Sequence, residues 1–553
     1  MKKPILFGLA CLLALLAHAQ DLESIQHEKP VRFTGAVNTG TSFYHISGIP
    51  DRAAVPLWYL NGSANLNLYG ALDLPFSFAI GKQSGGVSYP TFRQFGVSPK
   101  YKWLTLHGGY RNMTFSPYTL AGHTFLGAGI ELKPGKFRFA AMNGRLRKAR
   151  EYNPDEGFQY FPAVYKRTGW GMKIGVGTDN DHFDLIYFDA KDDPNSLQLP
   201  LPDSSLTPAA NRVIGFNFIS QISSKISWFA DGAVSAFTRN VNSYEVEDVR
   251  RDVTWFFKPK YSSRVNYAVK TGLDFRFKSW GLRTAFERVM PEYETMGAFF
   301  FSNDRQNLTI SPNFGLWKHK VIFNGTLGLQ RDNLLGQRYA TNRRLIGNAN
   351  LSVNPSPHFG FDVNYTNLEI NQLDGRLELS DTIRVAIVNS GFGLTPHWQW
   401  ADSTRAQAIV FSGNYQEVND RNPFTREFTN MDTWFFTSTY SLNFIQSNFG
   451  VNLGANYTKI NIYQLQTDRY GGTLGVSKTF FENKLNTSVS TTYNLTRIGG
   501  EADGSVVAGS LNASIAATKK LSFGLTTSLT KNRSNLFDDY TEWIGGVNLN
   551  VRL

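Results

Sequence analysis

From Val31 to Leu553 the chain repeats one unit, a stretch of about 10–15 residues in which apolar and polar side chains alternate, followed by a turn. A strand's side chains point alternately to its two faces, so each stretch offers one face to an apolar medium and the other to water. In Lys484–Arg497, Leu485, Thr487, Val489, Thr491, Tyr493 and Leu495 share one face, and Asn486, Ser488, Ser490, Thr492 and Asn494 share the other. The next stretch sets Leu521, Phe523, Leu525, Thr527 and Leu529 against Ser522, Gly524, Thr526, Ser528 and Thr530. The last sets Trp543, Val547, Leu549, Val551 and Leu553 against Glu542, Asn548, Asn550 and Arg552. With no helix-period segment, linker or charge block to divide the chain, this rhythm predicts an all-β fold: a transmembrane antiparallel up-and-down β-barrel without an N-terminal plug.

The number of stretches bounds the barrel. About 26 strands are expected, among them 92–98, 358–368, 381–395 and 505–518, and an even number puts both barrel ends on the periplasmic side. Short turns follow each even strand, as at Lys133-Pro134-Gly135-Lys136 and Thr518-Lys519-Lys520. Longer, extracellular connections mostly follow odd ones, as at 148–163, 193–211, 240–262, 290–304 and 418–430. Strands ~4.8 Å apart and tilted ~40° close 26 members into a ring roughly 50 Å across. Side chains alone cannot fill it, so water, infolded loops or another polypeptide must.

The N-terminus predicts export. Lys2 and Lys3 precede a short apolar run, Ile5–Ala17, and an Ala17-His18-Ala19 cleavage pattern, giving a signal peptide over 1–19. Residues 20–30 are then a short periplasmic segment and 31–553 the barrel. The run falls short of the ~20 apolar residues of a helical span. Cys11 raises a lipidation alternative, weakened because the apolar run continues past it. With ordinary cleavage no cysteine remains, and disulfide or zinc-thiolate chemistry is excluded. The mean hydropathy of -0.27 looks soluble, but alternation conceals a barrel's membrane character.

Charge within the lipid zone is costly, so charged residues on strands are expected to line the lumen. In Arg264–Phe277, Val265, Tyr267, Val269, Leu273, Phe275 and Phe277 should face lipid, while Arg264, Asn266, Lys270, Asp274 and Arg276 face inward. The following stretch adds inward Arg283 and Glu287. Arg264, Lys270, Arg276 and Arg283 could favour anions, or Asp274 and Glu287 could neutralise them in a structural ladder. The net charge of +12, or +10 without Lys2 and Lys3, fits rim contacts with anionic lipid such as lipopolysaccharide, through residues like Arg145, Arg147, Lys148 and Arg150. Nucleic acid is not an expected partner, since no basic run with interleaved aromatics occurs.

Three outer connections are unusually apolar. Residues 290–304 contain Tyr293, Met296, Phe299, Phe300 and Phe301; 111–121 contain Met113, Phe115, Tyr118 and Leu120; 240–262 contain Val253, Trp255, Phe256, Phe257 and Tyr261. Such aromatics form an interfacial girdle, an infolded constriction or a docking surface. Pro291 and Gly297 favour infolding for 290–304.

No enzyme is expected. The histidines of the mature chain are scattered, and no H-E-x-x-H, G-x-S-x-G, P-loop or dinucleotide pattern accompanies them. Asp179-Asn180-Asp181 lacks the spaced ligands of an EF-hand, so neither metal nor cofactor is expected.

In stretches such as Ser116–Phe125, Glu131–Phe139 and Pro291–Phe299 the chain resembles the large outer-membrane β-barrels of Gram-negative bacteria, with a texture like that of Bacteroidota barrels. The resemblance implies fold and location, and carries no functional residues with it. The plug of TonB-dependent transporters and the periplasmic domains of barrel-assembly and lipopolysaccharide-inserting proteins have no counterpart here. General porins are similar by elimination, although they are usually smaller and end in Phe. Two functions stay open: a porin-like channel for small solutes, anions being one option, narrowed by infolded loops, or a non-enzymatic structural or translocation barrel occluded by a lipoprotein or periplasmic partner.

Overall fold

The computed structural model describes residues 30–52, 57–82, 94–151, 163–198, 206–246, 256–298, 302–376, 380, 382 and 384–553. Each strand pairs antiparallel with its sequence neighbours, and Val31–Ser47 pairs with Tyr540–Arg552 to close the ring. Of 27 strand segments, Gln94–Val97 and Lys100–Tyr101 form one interrupted strand between Leu72–Lys82 and Leu104–Thr114, which leaves 26 in the wall. The interruption falls at Pro99, which has no N–H to give the ladder.

Side chains alternate as the strand period demands. Trp170, Leu185, Val234, Leu327, Phe411, Leu474 and Leu525 stand exposed on the outward face, an apolar band whose natural solvent is lipid. Aromatic pairs border it on both sides. Phe277 stacks on Trp280 at 4.3 Å and Phe314 on Phe323 at 4.8 Å near the short-turn end. Trp170 meets Tyr187 at 4.9 Å and Tyr415 meets Trp434 at 4.4 Å near the long-loop end. These are the two interfacial girdles of an outer-membrane barrel, and the chain is one.

Some boundaries depart from the periodicity. The strand expected at 358–368 runs Phe359–Asp374, because Asn367, Glu369 and Asn371 carry it beyond the apolar band, where alternation no longer marks a strand. The strand expected at 381–395 is Ala386–Ala401. The ladder with Arg405–Asp420 skips Thr395 and Pro396, where proline has no N–H to give, and resumes at His397. That expected at 505–518 is Glu501–Ala516, since its outer turn is only Gly499-Gly500, both at positive φ.

Candidate functional site

Most buried apolar side chains lie in one cluster inside the barrel. Met113, at the end of Leu104–Thr114, and Phe115, Tyr118 and Leu120, from the connection after it, meet Tyr293 and Met296, from the connection after Trp280–Val289. Both connections fold into the lumen and clasp each other. Tyr293 Oη donates to the Tyr118 carbonyl at 2.6 Å, Thr295 Oγ1 to the Thr119 carbonyl at 2.7 Å, and Ala121 N to the Gly297 carbonyl at 2.9 Å. The two tyrosine rings meet edge-on, centroids 6.4 Å apart. A Cβ on Gly297 would lie 2.3 Å from the Thr119 oxygen, so only glycine permits this approach.

The clasp is also fastened to the wall. Tyr118 Oη donates to Glu287 Oε1 at 2.7 Å, Met296 N to Asn211 Oδ1 at 3.0 Å, and Ser235 Oγ to the Glu294 carbonyl at 2.6 Å. Burial raises the Tyr293 phenol well above its ordinary pKa; burial and then the Glu287 charge do the same to Tyr118, so both remain neutral donors.

Small inward residues make the room. Cβ atoms built on Gly129, Gly171 and Gly215 would lie 2.6 Å from Met113 Sδ, 3.1 Å from Phe115 Cε2 and 2.8 Å from Thr119 Cγ2. Ala140, Ala190, Ala233 and Ala268 line the same hollow. Inward Ile186, Phe188, Met142 and Val213 replace the polar residues expected on a wetted wall, because they face the clasp rather than water.

The charged candidates sit around this hollow. Lys270 is in register with Asp231 and with Glu287, and Arg283 with Asp274. Arg283 also lies over the Phe229 ring at 4.4 Å. Arg276 Nη2 is 2.7 Å from Asp274 Oδ2, Arg264 Nε is 3.3 Å from Glu292 Oε2, and Glu287 accepts from Arg305 and Asn307 as well as from Tyr118. Beside them Arg138 forks onto buried Asp184 at 2.9 and 3.1 Å. The belt is charge-paired nearly throughout. Arg147, expected at the lipid rim, instead turns inward at a bulge and joins Arg167 on Asp192.

The third apolar connection behaves differently. The Phe256 carbonyl accepts from Arg212, which lies on the outward set of its strand, so this part of 240–262 borders the outer rim; Phe257 is buried beside Phe256. Trp255, Phe299, Phe300 and Phe301 lie outside the described residues.

From Arg305–Leu316 round to Leu72–Lys82, the mid-height lumen wall is lined with amides and hydroxyls. Ser311 meets Thr326 at 3.0 Å, Asn456 meets Asn494 at 3.1 Å and Ser490 meets Ser510 at 2.7 Å, each pair bridging strands. Inward charges there, such as Arg344, Asp362 and Arg469, lie towards strand ends. The site thus comprises a dry clasp, a paired-charge belt and a long uncharged, hydrogen-bonding wall.

No family model matches the sequence, and no curated protein matches it significantly. Among solved structures it is similar to OccAB4 of Acinetobacter baumannii, with 13% identity over 67% of this chain and 97% of that one and a TM-score of 0.30. It is also similar to the P pilus usher PapC translocation pore, with 11% identity over 94% and 99% and a TM-score of 0.35. A mutant of the ferric enterobactin receptor PfeA of Pseudomonas aeruginosa matches with 8% identity over 94% and 80% and a TM-score of 0.41.

Proposed function

We propose that this barrel is a porin-like channel for small polar solutes, its lumen narrowed on one side by the two-loop clasp. The observation that carries the reading is the clasp itself. Two outer connections are held inside the ring by buried hydrogen bonds to each other and to the wall, while the remaining mid-height wall keeps amides and hydroxyls that hydrogen-bond to water. An anion preference drawn from Arg264, Lys270, Arg276 and Arg283 has support only in their sign. Each has a carboxylate in contact or in register, which favours weak selectivity.

Single-channel recording of the purified barrel in a planar bilayer tests this. Steady conductance with a reversal potential near zero in a salt gradient is expected. A silent barrel overturns the reading. One observation favours a second reading, an occluded barrel working with a lipoprotein or periplasmic plug: the clasp rests against one side of a ring roughly 50 Å across. A silent barrel that co-purifies with such a partner would move the assignment there.

A further inference from the structure

At the long-loop end, three arginines stand in a row on the outward face. Arg288 is in register with Gln306, Gln306 with Arg331, and Arg331 with Arg343. Two residues nearer the membrane centre, Phe286, Leu308, Leu329 and Leu345 form a parallel row, with Leu308 and Leu329 exposed. The arginines therefore mark the upper edge of the apolar band, where lipid headgroups begin.

Like charges directly opposite one another on neighbouring strands are destabilising, so Arg331 beside Arg343 is a cost the fold carries. Among the described residues none of the three forms an ion pair: nearby carboxylates serve Arg305, Arg338 and Arg421 instead. Some other outward cations at this end are matched by carboxylates. Arg212 holds Asp189 at 2.7 Å, and Asp468 stands in register between Lys459 and Arg497.

Three strand steps of ~4.8 Å spread the row over roughly 14 Å. Guanidinium forks suit phosphate oxygens, and the Gln306 amide between them adds a donor. We propose that Arg288, Gln306, Arg331 and Arg343 bind the phosphates of a phosphorylated glycolipid of the outer leaflet, whose acyl chains lie on the Phe286, Leu308, Leu329 and Leu345 row. The negative charge that no carboxylate of the wall brings to this row is supplied by the lipid phosphates.

Native mass spectrometry of the full barrel with bisphosphorylated lipid A, dephosphorylated lipid A or phosphatidylglycerol tests the site. The wild type should retain the bisphosphorylated lipid, and R331Q/R343Q should lower retention about 25-fold, at about fivefold per arginine. Arg212→Gln, at a matched rim position, should leave retention within twofold. Equal retention by R331Q/R343Q, an equal loss in Arg212→Gln, or equal binding of the dephosphorylated lipid or of phosphatidylglycerol overturns the assignment. Gln306→Glu separates lipid binding from folding. A carboxylate between Arg288 and Arg331 should raise thermal stability while lowering lipid retention, whereas a purely structural row would gain stability with retention unchanged.

Discussion

Tyr293→Phe should loosen the clasp without disturbing the barrel. Tyr293 is wholly buried, and its hydroxyl donates to the Tyr118 carbonyl at 2.6 Å. Phenylalanine keeps the ring and nearly the same volume, so packing is retained while that carbonyl loses a donor. Withdrawing a partner from a buried acceptor costs about 1–3 kcal/mol. With 1.4 kcal/mol for each factor of ten, the ratio of clasped to released loop falls by about 5- to 150-fold. In single-channel recordings this should appear as a matching increase in the time spent in a higher-conductance substate. Electrophoretic mobility before and after heating reports that the barrel still closes. Tyr118→Phe, which removes a hydrogen bond to charged Glu287, should act the same way, and the two changes should be non-additive because the residues touch. A folded Tyr293→Phe barrel with dwell times within twofold of wild type would refute the clasp as a conductance-limiting element.

Gly215→Ala places a methyl 2.8 Å from Thr119 Cγ2 and should loosen the clasp by about 1–3 kcal/mol of overpacking, read as increased conductance. Glu287→Gln removes the carboxylate that serves Tyr118, Arg305 and Asn307 and faces Lys270; the reversal potential should shift toward anion preference, and no shift would mean this belt lies off the ion path. Asp179, in a short turn, accepts from Arg138 and then Lys133, which hold its carboxyl down to about 2. A depressed folded pKa stabilises above the ordinary carboxylate value of 3.8 and loses that contribution as pH falls towards 2. Exposure limits it to under about 1 kcal/mol. Asp179→Asn should therefore melt slightly below wild type at neutral pH and match it below pH 2; a gap that persists there would refute the ion-pair account.

The barrel was legible because lipid and water impose a period of two wherever a strand crosses the apolar band. Legibility ended where that contrast ended. The Asn367, Glu369 and Asn371 extension stands above the lipid, and the upper strand ends had to come from the ladder itself. The aromatic content of 111–121 and 290–304 flagged both connections, but not that each closes on the other. A second signal lay in the strands: His182–Asp192 carries Ile186 and Phe188 on the face that elsewhere holds Asn and Thr, while Gly129, Gly171 and Gly215 stand at neighbouring inward positions. Apolar and missing side chains on an inward face imply that something dry rests there. The connection 240–262 is equally aromatic, yet its Phe256 carbonyl lies over outward-facing Arg212, so aromatic content alone does not specify direction. The arginine row needs register, since Arg288, Arg331 and Arg343 belong to three different strands.

The seam between Val31–Ser47 and Tyr540–Arg552 brings Asn38 beside Asn550 and the Leu553 amide to the Gly35 carbonyl at 2.9 Å. Those contacts join the first and last strands of the barrel, so none can form until the last strand has been synthesised. Until then the nascent sheet has two raw margins whose N–H and C=O groups can template pairing with any other strand. Such long-range closure is the slow, aggregation-exposed step of folding. Biogenesis of this barrel thus depends on keeping its first strand protected while the remaining 25 are made, and the last hairpin acts as the latch that ends that vulnerability.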